Sequence, residues 1–120
     1  MLSGSRGPLL GGAAALLLAG CASSPKPIDQ LIDSAASLRS AKELGAGQIP
    51  PAALEVRRAD EAMQRARDLM GKGENEKARG ELMRSKADSE LAIALVRRQQ
   101  AQDEANKAQE NLKSVQQQAQ

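Results

Sequence analysis

Residues 51–70 read PAALEVRRADEAMQRARDLM, and within them Ala52, Val56, Ala59, Met63, Ala66 and Met70 follow one another at steps of 4, 3, 4, 3 and 4. Steps of three and four return to the same side of an α-helix, so the stretch encodes an apolar seam sustained over nearly three heptads. Small and large residues alternate along it. Pro51 suits a first helical position, where its missing N–H leaves nothing unpaired. Glu61 and Arg65 are spaced as an i,i+4 pair worth a few tenths of a kcal/mol. Gly71 ends the helix and Lys72 complements the negative end of its dipole.

Downstream, the connection Gly71-Lys72-Gly73 is short enough to make its two helices antiparallel neighbours. The next helix opens with Glu74 and Glu76 at its positive end and meets no proline before Gln120. Ala78, Leu82, Ser85, Ser89, Ala92 and Val96 form its seam, and Ala87, Leu91, Ala94 and Leu95 are expected to widen that face. Gly80 costs about 1 kcal/mol against alanine without breaking the helix. Ala101, Ala105, Ala108, Leu112, Val115 and Ala119 again step by 4, 3, 4, 3 and 4. A continuous helix would be about 70 Å long, whereas the helix before it covers only some 20 residues, to about Val96. Residues 97–120 are therefore expected to overhang. They are rich in glutamine, and read either as a solvated helix end or as an open stripe for a partner or a second copy.

Upstream, Ile28, Leu31, Ile32, Ala35, Leu38 and Ala41 mark one face of a first helix, with Asp29 and Asp33 in its opening turns. Gly45-Ala46-Gly47 ends it and Ile49-Pro50-Pro51 bars continuation. The fold class is all-α: a helical hairpin or slim three-helix bundle, with helices at about 28–44, 51–70 and 74–118, the last overhanging as a rod.

Residues 9–19 contain only Leu, Ala and Gly, with Arg6 before them, and end in Leu18-Ala19-Gly20-Cys21. Such a run is too short for the ~30 Å hydrocarbon core, which takes about 20 residues, and has the proportions of a secretory signal. A thiol directly after two small residues can take a lipid and leaves the Gly20–Cys21 bond open to a peptidase. Leu18, Ala19, Gly20 and Cys21 resemble the lipobox of bacterial lipoproteins. That resemblance implies a signal peptide over residues 1–20, cleavage by signal peptidase II between Gly20 and Cys21, and diacylglycerol plus an N-acyl chain on Cys21, with no other cofactor. Residues 21–27, Ser-rich and broken by Pro25 and Pro27, would be the lipidated tether, and 28–120 the helical domain. Ala22 after the cysteine resembles the outer-membrane sorting pattern. The expected address is the bacterial envelope, lipid-anchored, facing the periplasm, with the overhang pointing away from the membrane.

Composition narrows the function. The full chain has a net charge of +2 and no His, Phe, Tyr or Trp. Without a basic excess or aromatic stacking surfaces, nucleic acid is not an expected partner. With no histidine and a single cysteine assigned to lipid, no catalytic base, nucleophile or metal site is in prospect, and no enzyme activity or small-molecule substrate is expected. Asp60-Glu61 and Asp103-Glu104 are adjacent in sequence and so point apart on a helix.

From Leu38 to about Gln102 the chain resembles the family called domain of unknown function 4398. The residues that carry the likeness are Pro50-Pro51-Ala52-Ala53-Leu54-Glu55, the Ala59, Ala62 and Ala66 series, Ala78 with Leu82, and Lys86-Ala87-Asp88-Ser89-Glu90-Leu91-Ala92. The resemblance implies a small Ala-rich helical domain of the bacterial envelope and no known activity. The expected role is a structural, scaffolding or partner-binding lipoprotein whose seam at Ala101, Ala105, Ala108, Leu112 and Val115 meets an envelope protein. The alternatives are a self-associating coiled-coil spacer between outer membrane and cell wall, and an accessory subunit of an assembly or transport complex. Unlike the murein lipoprotein, the chain ends in Gln118-Ala119-Gln120, with Lys113 its last amine.

Overall fold

In a computed structural model, the described residues are 24–120. Three α-helices follow in order: α1 over Ile28–Glu43, α2 over Pro50–Gly71 and α3 over Asn75–Gln118, with a single 3₁₀ turn at Ala46–Gln48. Among these residues there is no strand. At 1.5 Å per residue α3 is about 66 Å long, twice the length of α2 at about 33 Å.

The helix boundaries have local causes. Gly45 (φ 81°) takes the left-handed conformation that stops α1, and its N–H donates to the Lys42 carbonyl at 3.0 Å. Ile49 is extended, as a residue before proline must be, and its carbonyl accepts the first bond of α2, from the Ala53 N–H at 2.8 Å. The helix begins at Pro50 rather than Pro51. Both prolines fit the first turn, where N–H groups lack helical partners anyway. At the far end Gly73 (φ 76°) donates to the Met70 carbonyl at 3.2 Å and Glu74 to the Leu69 carbonyl at 2.9 Å. This is the pair of bonds that defines a Schellman stop, and it reverses the chain into α3.

Among the described residues, alanine supplies eight of the twelve buried Ala, Val, Leu and Met side chains, so the helices pack through short side chains. One cluster joins Ala41, Ala46, Ala52, Ala92 and Val96, flanked by Ile49, Val56, Ile93 and Leu95. A second joins Met63, Ala66 and Leu82 with Leu31 and Ala35. The buried positions of α3 run Asn75, Ala78, Leu82, Ser85, Ser89, Ala92 and Val96, an unbroken 3-4 repeat. Ser34 crosses from α1 to α3, its hydroxyl donating to the Leu82 carbonyl at 2.8 Å in a buried bond. One ion pair spans each helix boundary: Lys42–Asp60 at 2.7 Å, Arg65–Glu81 at 2.9 Å and Lys86–Asp33 at 3.8 Å. All are partly exposed and each contributes no more than about 1 kcal/mol.

Several expectations are corrected. Ile28 and Ile32 are not core residues: they are 48% and 61% exposed, and α1 buries Ser34, Leu38 and Ala41 instead. The helix touches the bundle along a narrow stripe, and both isoleucines sit more than 100° around the axis from it. On α3, Ala87, Leu91 and Ala94 are exposed for the same reason, and Ile93 together with Leu95 widens the seam. On α2, Val56 and Met70 are only half-buried, whereas Glu55 and Ala62 are buried. Arg65 turns to Glu81 on α3 rather than to Glu61 on its own helix.

Candidate functional site

Two regions stand apart from the packed bundle: the segment that enters α1, and the free length of α3. The lipobox residues Leu18, Ala19, Gly20 and Cys21 lie outside the described residues.

The entering segment is not a loose linker. Pro27 is fully buried and its carbonyl accepts the Leu31 N–H at 3.0 Å, which starts α1. Ser24 and Pro25 are held against the first two turns of α3. The Arg79 guanidinium donates to the Pro25 carbonyl at 3.0 Å and to the Ser24 hydroxyl at 3.2 Å. The Asn75 side-chain amide donates to the Ser24 carbonyl, and the Ser24 hydroxyl donates to the Glu76 carboxylate, which also pairs with Arg79. The Ser24 hydroxyl bond, with the Arg79 charge next in weight, holds the Glu76 carboxyl below its ordinary value of 4.5. The Lys77 ammonium does the same to Glu74, through its hydrogen bond first and its charge second. Nothing in the local sequence signals these contacts, because Asn75, Glu76 and Arg79 read as ordinary residues of a helix start.

At the other end, every residue from Arg97 to Gln120 is exposed, and Val96 is the last buried position. The five seam residues Ala101, Ala105, Ala108, Leu112 and Val115 therefore share one face of a single helix, uncovered by the other described residues. Leu112 and Val115 are each 60% exposed. In a rod of this width such residues are open apolar surface.

Between these ends the bundle surface carries a shallow groove of about 300 Å³ lined by Arg58, Glu61, Arg65, Arg84 and Asp88. Among the described residues no group of carboxylates or other metal-ligating side chains is arranged to hold a metal ion. None of the described helices is long and apolar enough to cross a membrane.

The architecture is thus an all-α rod, a three-helix body continued by one bare helix. The family model described as domain of unknown function (DUF4398) matches residues 29–108, and the chain belongs to that family. The match takes in α1, the hairpin and the first part of the bare helix. Searches of curated proteins and of solved structures returned no match.

Proposed function

We propose that the protein is a lipid-anchored lipoprotein of the bacterial envelope, acylated on Cys21, that presents a helical rod to a protein partner in the periplasm. The observation that carries this reading is the polarity of the rod. Ser24 is three residues from Cys21, and it is fastened to the start of α3 by Asn75, Glu76 and Arg79. An anchor on Cys21 would therefore hold the α2–α3 turn at the membrane. The bare helix and its apolar stripe would then project outward by the remaining length of α3, where a partner can reach them.

A clamped attachment point transmits orientation, which a flexible tether would not. The lipid supplies membrane affinity, since two or more acyl chains on one residue give stable anchoring. The body supplies stiffness. The function is contact rather than conversion, and the outer membrane is the proposed location, on the strength of Ala22 following the cysteine.

Fractionating cells that express the full chain, with and without Cys21→Ala, tests the reading. The wild-type chain should partition with membranes at its processed mass, and the variant should either be released or remain as the longer unprocessed precursor. Equal partitioning of the two at the same processed mass would contradict it.

A further inference from the structure

Ile28, Ile32, Ala35, Arg39 and Lys42 follow one another along α1 at steps of 4, 3, 4 and 3. They form a second line on that helix, turned by roughly 110° from the buried stripe of Ser34, Leu38 and Ala41. The fold leaves its two isoleucines uncovered. The line borders an open cleft of about 300 Å³ between α1 and α2. The floor of the cleft is apolar, with Ala35 and Leu38 from one wall and Met63 from the other.

Its rim is cationic. Arg39 and Lys42 stand on α1 and Arg67 on α2, against the single carboxylate of Asp60. Lys42 and Asp60 pair with each other at 2.7 Å. Arg39 and Arg67 are left with no ion pair among the described residues. The cleft thus carries a net charge of +2, as much as the whole chain. The groove between α2 and α3 differs: there Arg58 and Arg65 are taken by Glu55 and Glu81, and Glu61 and Asp88 line it with Arg84.

We propose that the α1–α2 cleft is the docking site of an acidic amphipathic helix of a partner protein, laid between the two helices as a fourth member of the bundle. The proposal goes beyond the anchored reading, needs no lipid, and uses a different surface from the bare helix. From Ile28 to Lys42 the trough runs about 21 Å, four turns of helix. Apolar residues at 3-4 spacing along its walls suit the ridge of a helix.

Charge names the flanks of that helix. The Lys42–Asp60 pair sets the level of the two walls. From it Arg39 lies three residues along α1 and Arg67 seven along α2, in the same direction, since Leu31 and Ala35 pack with Met63 and Ala66. The two guanidiniums therefore stand on opposite walls, about 6 Å or one helical turn apart along the axis. An occupant with a carboxylate on each flank of its apolar stripe meets both, and each pair can be bidentate. A fatty acid offers one carboxylate and leaves one arginine unmet. A polysaccharide brings no apolar ridge for Ile28, Ile32 and Met63.

The test uses the full chain expressed in bacteria with a photoreactive side chain at Gln64, an exposed residue of the cleft, or at Ala87 on the outer side of α3. The Gln64 probe should join a protein whose crosslinked peptide carries apolar residues at 3-4 spacing flanked by Asp or Glu. The Ala87 probe should not. Arg39→Glu combined with Arg67→Glu should cut that adduct about tenfold at unchanged helicity, and Arg39→Lys combined with Arg67→Lys should keep most of it. Should the charge-reversed chain fail to fold, Arg39→Gln removes one charge that the fold does not use and should cut the adduct about threefold. A joined peptide without acidic residues, an adduct with lipid or with a second copy, equal yield from Ala87, full yield from the charge variants, or no adduct would each overturn the proposal. The mass of the Cys21 peptide from the same cells keeps the two readings apart. Bare Cys21 with the adduct intact defeats the anchor alone, and acylated Cys21 without the adduct defeats the docking site alone.

Discussion

Arg79, on the second turn of α3, donates to the backbone carbonyl of Pro25 at 3.0 Å, across 54 residues of chain. The bond ties the segment leading to Cys21 to the longest helix rather than to the helix that follows it in sequence. Removing it should free the entry without melting the bundle. In Arg79→Ala the amides of Ile28 and Leu31, which bond to Lys26 and Pro27, should exchange faster with solvent. Stability should fall by about 1 kcal/mol, since the guanidinium is partly exposed. Unchanged protection of those two amides would show that the clamp does not order the entry.

The same clamp should respond to acid. Glu76 is depressed below 4.5 by the Ser24 hydroxyl and Arg79. A group depressed in the folded state stabilises it above its unfolded value, and that contribution is lost as pH falls through the lower folded value. Titration below pH 4.5 should therefore release Ser24 while the helices persist, and Glu76→Gln should remove the transition. Amide shifts of residues 24–27 followed by NMR report it directly.

One substitution should act in opposite directions at two glycines. Gly80 is helical and exposed, with nothing within 4 Å of an added Cβ, so Gly80→Ala should stabilise by about 1 kcal/mol. For a domain of this size that raises Tm by roughly 4–8 °C. Gly73 has equal space but a φ of 76°, so Gly73→Ala should cost about 1 kcal/mol or more through backbone strain. Thermal unfolding followed by circular dichroism distinguishes the two.

Leucine position should decide the cost of truncation along α3. Leu82 is fully buried between Met63 and Ala66, so Leu82→Ala should destabilise by about 2–5 kcal/mol. Leu112 is 60% exposed on the bare helix, so Leu112→Ala should move the unfolding midpoint of the body very little. Comparable losses at both positions would mean that the free half of α3 is covered within one chain.

The contrast between those two leucines also marks what could be read from the residues alone. The 3-4 seam of α3 was legible because its polar members, Ser85 and Ser89, are small and sit among alanines and aliphatics at regular spacing. The overhang followed from helix length. The seam of α1 is hidden because apolar type and position disagree there: Ile28 and Ile32 belong to the helix but not to its narrow contact stripe, while Ser34 is buried through a bond to a backbone carbonyl. Glu55 was invisible as a core residue because a carboxylate is buried here only with Arg58 beside it at 3.0 Å. The Ser24–Arg79 clamp joins residues 55 positions apart, and no local pattern encodes it.

The account depends most on Cys21, and the mass of the amino-terminal peptide of the protein purified from bacterial membranes tests it directly. The account predicts a peptide that begins at Cys21 and carries a diacylglyceryl group with an additional N-acyl chain. An amino-terminal peptide with an unmodified Cys21 thiol, or one that begins upstream of Gly20, would contradict it.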